Sequence, residues 1–206
     1  MTQNENTTPS QASWVGFLLP PLVVLAAGFL WVAAGRDDSQ GVPGSARRTL
    51  KADGVYYVYV SQIELFPTNQ DNEPWDTGST ASPDIRNRVV WQGNTIYESD
   101  TSEDALIAEW SGVNEGALDK LLGEDKLNAG KLRASKEGKL RIEVEDVDSL
   151  SPNDPAGSVE FEIMGLHEGV NDIRYDEKTE QNAIKRLLIQ LVSKDQPMED
   201  IVRKMR

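Results

Sequence analysis

Two hydropathy patterns divide this chain. Residues 14–34, WVGFLLPPLVVLAAGFLWVAA, form a continuous apolar run of 21 residues without a charge. As a helix such a run spans roughly 30 Å, the thickness of a bilayer's hydrocarbon core. Trp14 and Trp31 fall near its ends, where interfacial aromatics are favoured. Pro20 and Pro21 would kink it, which membrane helices tolerate. Beyond the run the pattern changes to short alternating segments, the signature of half-buried strands.

Strands are predicted over 55–65 (VYYVYVSQIEL), 85–91 (IRNRVVW), 94–98 (NTIYE), 105–110, 139–145 (KLRIEVE) and 158–164 (SVEFEIM). Gln92-Gly93 marks a tight hairpin between the second and third of these. Residues 67–84 carry Pro67, Asn69, Asn72, Pro74, Gly78 and Pro83 and read as a long loop. Residues 113–130 are Gly-punctuated, with a short helical turn expected at 117–122. Residues 183–193 (AIKRLLIQLVS) fit either a helix face or a buried strand, and strand is chosen because the short strands otherwise lack a closing member. Pro197 then opens a helix over 197–205, with Glu199 and Asp200 early and Arg203 and Lys204 late, the charge order that suits a helix dipole. The expected class is all-β: a sandwich at 54–206, behind one transmembrane helix and ahead of a short C-terminal helix. Residues 1–13 are a polar tail, and residues 35–53, with Gly41, Pro43 and Gly44, read as a flexible linker.

The flanks of the apolar run set its orientation. No Lys or Arg precedes it, whereas Arg36, Arg47, Arg48 and Lys51 follow. The positive-inside rule then puts the sandwich in the cytoplasm. A cleaved signal peptide is the alternative, but the basic n-region is missing and the run is long for an h-region. An extracytoplasmic domain is the other alternative.

Composition narrows the chemistry. With 21 Lys plus Arg against 34 Asp plus Glu, the net charge of −13 argues against nonspecific nucleic-acid binding. No Cys and one His exclude Cys-ligated zinc, iron–sulfur clusters and His-rich metal sites. No nucleophile–base pair or phosphate loop is present, and a non-enzyme is expected. The basic stretch 120–141 could face phosphoinositides, but Glu124, Asp125 and Glu137 interrupt it, and a solvated surface is the simpler reading.

The remaining candidate chemistry is a set of aspartates. The alternation of 139–145 ends before Asp146, so Asp146 and Asp148 begin the next loop on a shared side, and Asp154 returns across it. The first long loop adds Asp76 and Asp84, with Asp71 as an alternative to Asp76. Calcium takes six to eight oxygens, and five crowded carboxylates repel unless a cation joins them. An EF-hand is excluded, because position twelve counted from Asp146 is Gly157.

At these residues the chain resembles the C2 domain. Val58, Val60, Ile63 and Phe66-Pro67 are similar to its first strand, and Asp76 with Pro83-Asp84 to its first metal loop. Asp104-Ala105-Leu106 through Trp110 resembles a later strand. Residues 140–145 followed by Asp-x-Asp-x5-Asp and Ala156-Gly157 resemble its sixth strand and third metal loop. Ile85-Arg86 stands where the family commonly has Pro-Tyr. The resemblance implies an eight-stranded antiparallel sandwich with Asp76, Asp84, Asp146, Asp148 and Asp154 as calcium ligands. It also implies Trp75 and Leu150 as loop-tip membrane contacts, and docking to anionic phospholipid. The competing reading is a metal-independent scaffold that binds a protein partner.

Overall fold

The computed structural model describes residues 47–75, 82–114, 124–148 and 152–206. The apolar run at 14–34 and the helical turn expected at 117–122 lie outside them, as do Asp76 and Leu150. No helix among the described residues is long and apolar enough to cross a membrane.

The described strands are β1 (Arg48–Thr49), β2 (Val55–Leu65), β3 (Ile85–Trp91), β4 (Asn94–Glu98), β5 (Ile107–Glu109), β6 (Gly130–Arg133), β7 (Lys139–Asp146), β8 (Asp154–Glu162), β9 (His167–Arg174) and β10 (Ile184–Ser193). They form two antiparallel sheets. One has the order β1-β9-β10-β2-β5, with β6 also pairing β2; the other is β4-β3-β7-β8. The sandwich expected from the sequence is there, but with ten described strands where eight were expected. The short edge piece β1, together with β6 and β9, escaped the alternation pattern.

Side-chain alternation explains the core. Leu140, Ile142 and Val144 of β7 and Val58, Val60, Ile63 and Leu65 of β2 are all buried between the sheets. The β2 residues keep facing inward because Ser61 is an extra residue: Val60 pairs Ile189 and Gln62 pairs Leu188, which resets the phase. The hairpin at Gln92-Gly93 has positive φ at both positions, 48° and 83°, as a two-residue turn matched to strand twist requires.

The other face of β2 is buried too. Tyr57 and Tyr59 pack with Val113 and Val192 beneath helix α1 (Met198–Met205), through its Ile201, Val202 and Met205. The Tyr59 hydroxyl donates to the Met205 carbonyl at 2.9 Å, and so does the Gly112 amide at 2.9 Å. The amide side chain of Gln190 reaches the Lys204 carbonyl. The last carbonyls of a helix have no intrahelical partner, and here the sheet supplies them.

The domain starts earlier than the linker reading placed it. β1 pairs β9, Leu50 is buried, and the Asp53 amide donates to the Ala134 carbonyl at 2.8 Å. Residues 47–53 therefore belong to the sandwich.

Candidate functional site: the acidic loop end

The strand pairings bring four loops to one end of the sandwich: 66–84, 99–106, 147–153 and 175–183. Direct hydrogen bonds join them. Ile85 and Ser102 exchange backbone bonds at 2.9 and 2.8 Å, and the Ala183 amide donates to Ala156 at 2.8 Å. Gln70 donates to the Pro155 carbonyl at 2.9 Å. Lys178 donates to the Thr68 hydroxyl at 2.7 Å and also to the Asn69 carbonyl.

Asp84 is the junction of this end. Its amide donates to the Asp146 carboxylate at 2.7 Å, and its carbonyl accepts from Val147 at 2.9 Å. Its own carboxylate accepts the Asp104 amide at 2.9 Å. Asp104 sits in the left-handed region, φ 52°, a conformation that Asp tolerates better than most residues.

Asp146 departs from expectation. The alternation of β7 does not stop at Glu145; it continues one residue, and Asp146 takes the inward position after Val144. It pairs Ile85 on one side and Asp154 on the other, and is 2% exposed. Asp146 and Asp148 therefore do not open the loop together. Asp148 is half-buried beyond the strand end, and Asp154 is exposed at the start of β8.

Trp75 is a correction. It is buried at 6% exposure and packs in the main core, with its indole N–H donating to the Phe66 carbonyl at 2.9 Å. A ring held there offers nothing to lipid. The loop around it is built by Asn69, whose side-chain oxygen accepts the Asp71 and Glu73 amides at 3.0 Å each. Asp71 thus sits in an Asx turn.

Among the described residues the aspartates are not gathered into a calcium site, and Asp76 and residues 149–151 lie outside them. The ion needs six to eight oxygens. Asp146 and Asp84 each commit an oxygen to a backbone amide, and no group of three or more Asp, Glu, His or Cys among the described residues is placed to hold a metal.

What the sequence reading missed is the breadth of the charge. Beside Asp84, Asp146, Asp148 and Asp154, the same end collects Asp100, Glu103 and Asp104 from one loop and Asp176, Glu177 and Glu180 from another. Lys178 is the cation of these loops, and it is spent on Thr68 and Asn69. A groove of about 400 Å³ opens beside this end, lined in part by Gln70, Arg88, Glu143, Glu145, Pro155 and Glu180.

No family model matches the chain, and no curated protein matches it. Solved structures similar to it include a C2 domain, at 12% identity and TM-score 0.40, covering 68% of this chain and 98% of that one. A second is the C2 domain designated A of a plant extended synaptotagmin 1, at 10% identity and TM-score 0.44, covering 71% of this chain and 100% of that one. A third holds the two C2 domains, A and B, of extended synaptotagmin 2, at 13% identity and TM-score 0.43, covering 75% of this chain and 45% of that one.

Proposed function

We propose that this chain is a membrane-tethered, non-enzymatic C2-like binding module whose acidic loop end receives a cationic partner protein. The observation that carries this reading is the charge of that end: four loops rich in Asp and Glu around a single, already committed Lys178. A surface of one sign attracts the opposite sign over distances near the Debye length, about 8 Å at physiological salt. Anionic phospholipid is repelled by the same field. The apolar run at 14–34 supplies the tether, and the basic residues after it favour a cytoplasmic domain.

A second reading, calcium binding at the loop tips with docking to phospholipid, keeps one observation in its favour. Asp84 already joins the loop of Asp104 to the loop of Asp148.

Titration of the full chain in detergent micelles with a Lys-rich peptide, followed by calorimetry, tests the first reading. Binding should weaken with salt and be lost in the Glu103→Gln/Asp154→Asn/Glu180→Gln variant. Peptide binding that ignores these substitutions overturns it. A parallel titration with calcium decides the second reading. A calcium heat abolished by Asp148→Asn would restore the loop-tip site, and no heat at millimolar calcium would remove it.

A further inference from the structure

The sandwich is electrically polarised from end to end. The end opposite the acidic loops carries the turns at 51–54 and 134–138 and the start of β9. Hydrogen bonds hold the first two together: Asp53 N to Ala134 O at 2.8 Å, Ala134 N to Gly54 O at 2.8 Å, and Arg133 Nη1 to Asp53 O at 3.4 Å. Arg47, Arg48, Lys51, Arg133 and Lys136 are all exposed here. Among the described residues none of them takes part in an ion pair, whereas most cations of the sheet faces do: Arg86, Arg88, Arg141, Lys139, Arg174, Lys185 and Arg186 are each salt-bridged. The acids at this end are Asp53, Glu137 and Glu168, with Glu162 opposite Lys139 at the start of β7 and Asp195 beside Lys194, whose amide donates to the Val55 carbonyl at 2.9 Å. The Glu168 carboxylate is engaged by Gln196 and lies 3.6 Å from Lys204.

We infer that this basic end, and not the loop end, is the lipid-facing surface of the domain, seating it on anionic headgroups with the acidic loops turned to solution. Two facts beyond the charge itself support the assignment. Arg47 follows the apolar run by only twelve residues, a length that reaches at most about 40 Å even when fully extended. The covalent link thus limits how far Arg47 can lie from any bilayer that the run enters. The far end bears the opposite charge, so a negatively charged surface pulls one end and pushes the other. The position is the reverse of the one that the C2 resemblance implies through Trp75 and Leu150. The inference extends the tethered-module reading, since it explains how an acidic docking end stays clear of an acidic membrane.

The chain has no Cys, so single Cys substitutions label it at one site. The full chain, labelled with a fluorescent donor at Glu137→Cys or at Glu103→Cys, is placed in discs of phosphatidylcholine or of phosphatidylcholine with phosphatidylserine, with a headgroup acceptor. Energy transfer from position 137 should rise when phosphatidylserine is present, transfer from 103 should not, and the rise should vanish near 1 M salt, where the Debye length is about 3 Å. Charge reversal at Arg48, Lys51, Arg133 and Lys136 to Glu should abolish the rise while the melting temperature holds. Retention in both discs with equal transfer from 137 overturns the patch and leaves the tether standing. Retention only in phosphatidylserine discs, through the 137 end, supports the patch and removes the tether. Retention in neither removes both, and stronger transfer from 103 reverses the orientation.

Discussion

The Asp84 backbone amide donates to the Asp146 carboxylate at 2.7 Å, across the first rung of the β3–β7 ladder. Ile85, the next residue, pairs Asp146 in that ladder, so this bond fastens the exit of the long first loop to the end of β7. Asp146 is 2% exposed, and a charge so placed persists only with partners. The bond also explains why an aspartate can follow Val144 on the inward face: it meets a donor there, not the apolar core.

Asp146→Ala should therefore destabilise the fold by about 2 kcal/mol, since it leaves the half-buried Asp84 amide without an acceptor. Asp146→Asn, which keeps an oxygen in place, should cost less. Denaturant melts of both variants check the order, and it should hold with calcium or with chelator. An Ala variant as stable as the parent would mean that the bond positions nothing.

Tyr59 ties α1 to the sheet through its hydroxyl and the Met205 carbonyl. Tyr59→Phe keeps the packing and removes the donor, at a cost of about 1 kcal/mol. Hydrogen exchange should then quicken in 198–205 ahead of β2 and β10. Uniform acceleration across the domain would place the loss elsewhere.

Much of the architecture was legible because burial imposes a period of two. Leu140, Ile142 and Val144 announced β7, and Val58 and Val60 announced β2. β9 was not legible. Its Gly169, Asn171 and Asp172 are poor strand formers, and Asn171 succeeds there because it bonds locally. Its side chain accepts the His167 amide at 2.9 Å and donates to the His167 carbonyl at 2.9 Å. Trp75 misled for a related reason: a loop of Pro and Asn looks exposed, and nothing in it reveals that the Phe66 carbonyl waits for the indole. The acidic end could be seen only once the topology was known, because its loops are far apart in sequence and meet through strand order. Asp76 and Leu150 lie outside the described residues.

Asn87 is fully buried on the inward face of β3, and among the described residues neither atom of its side-chain amide has a partner. Its backbone is satisfied by Ser99, whose hydroxyl accepts the Asn87 amide at 3.0 Å. A buried unpaired amide costs about 1–3 kcal/mol, while an apolar side chain of similar volume costs nothing of the kind. Asn87→Leu should raise the denaturation midpoint without changing its slope. A lower midpoint would show that the amide has a role in the folded protein, through an ordered water or a ligand.

Acid should unfold the domain through identifiable carboxylates. Hydrogen bonds from Lys194 and then Lys131 hold the Glu124 carboxyl down at about 2, from an ordinary 4.5. Arg186, and then Arg174, hold Asp172 well below the usual carboxylate range against its partial desolvation. A carboxyl whose pKa is depressed by folding contributes stability that is fully present above its unfolded value and is lost as pH falls through its folded value. Stability should thus be level above pH 4.5 with respect to Glu124, and should decline from there toward pH 2. Glu124 is exposed, so its share should shrink in high salt. Asp172 titrates lower and should carry the loss further into acid. Melting temperatures of the parent and of Glu124→Gln between pH 6 and 2 check the assignment. The variant should show a shallower decline between pH 4.5 and 2, and the two curves should draw toward each other at the acid end, where Glu124 is protonated in the unfolded chain and is becoming protonated in the folded one. Parallel curves across that window would show that Lys194 and Lys131 do not hold Glu124 in the folded protein.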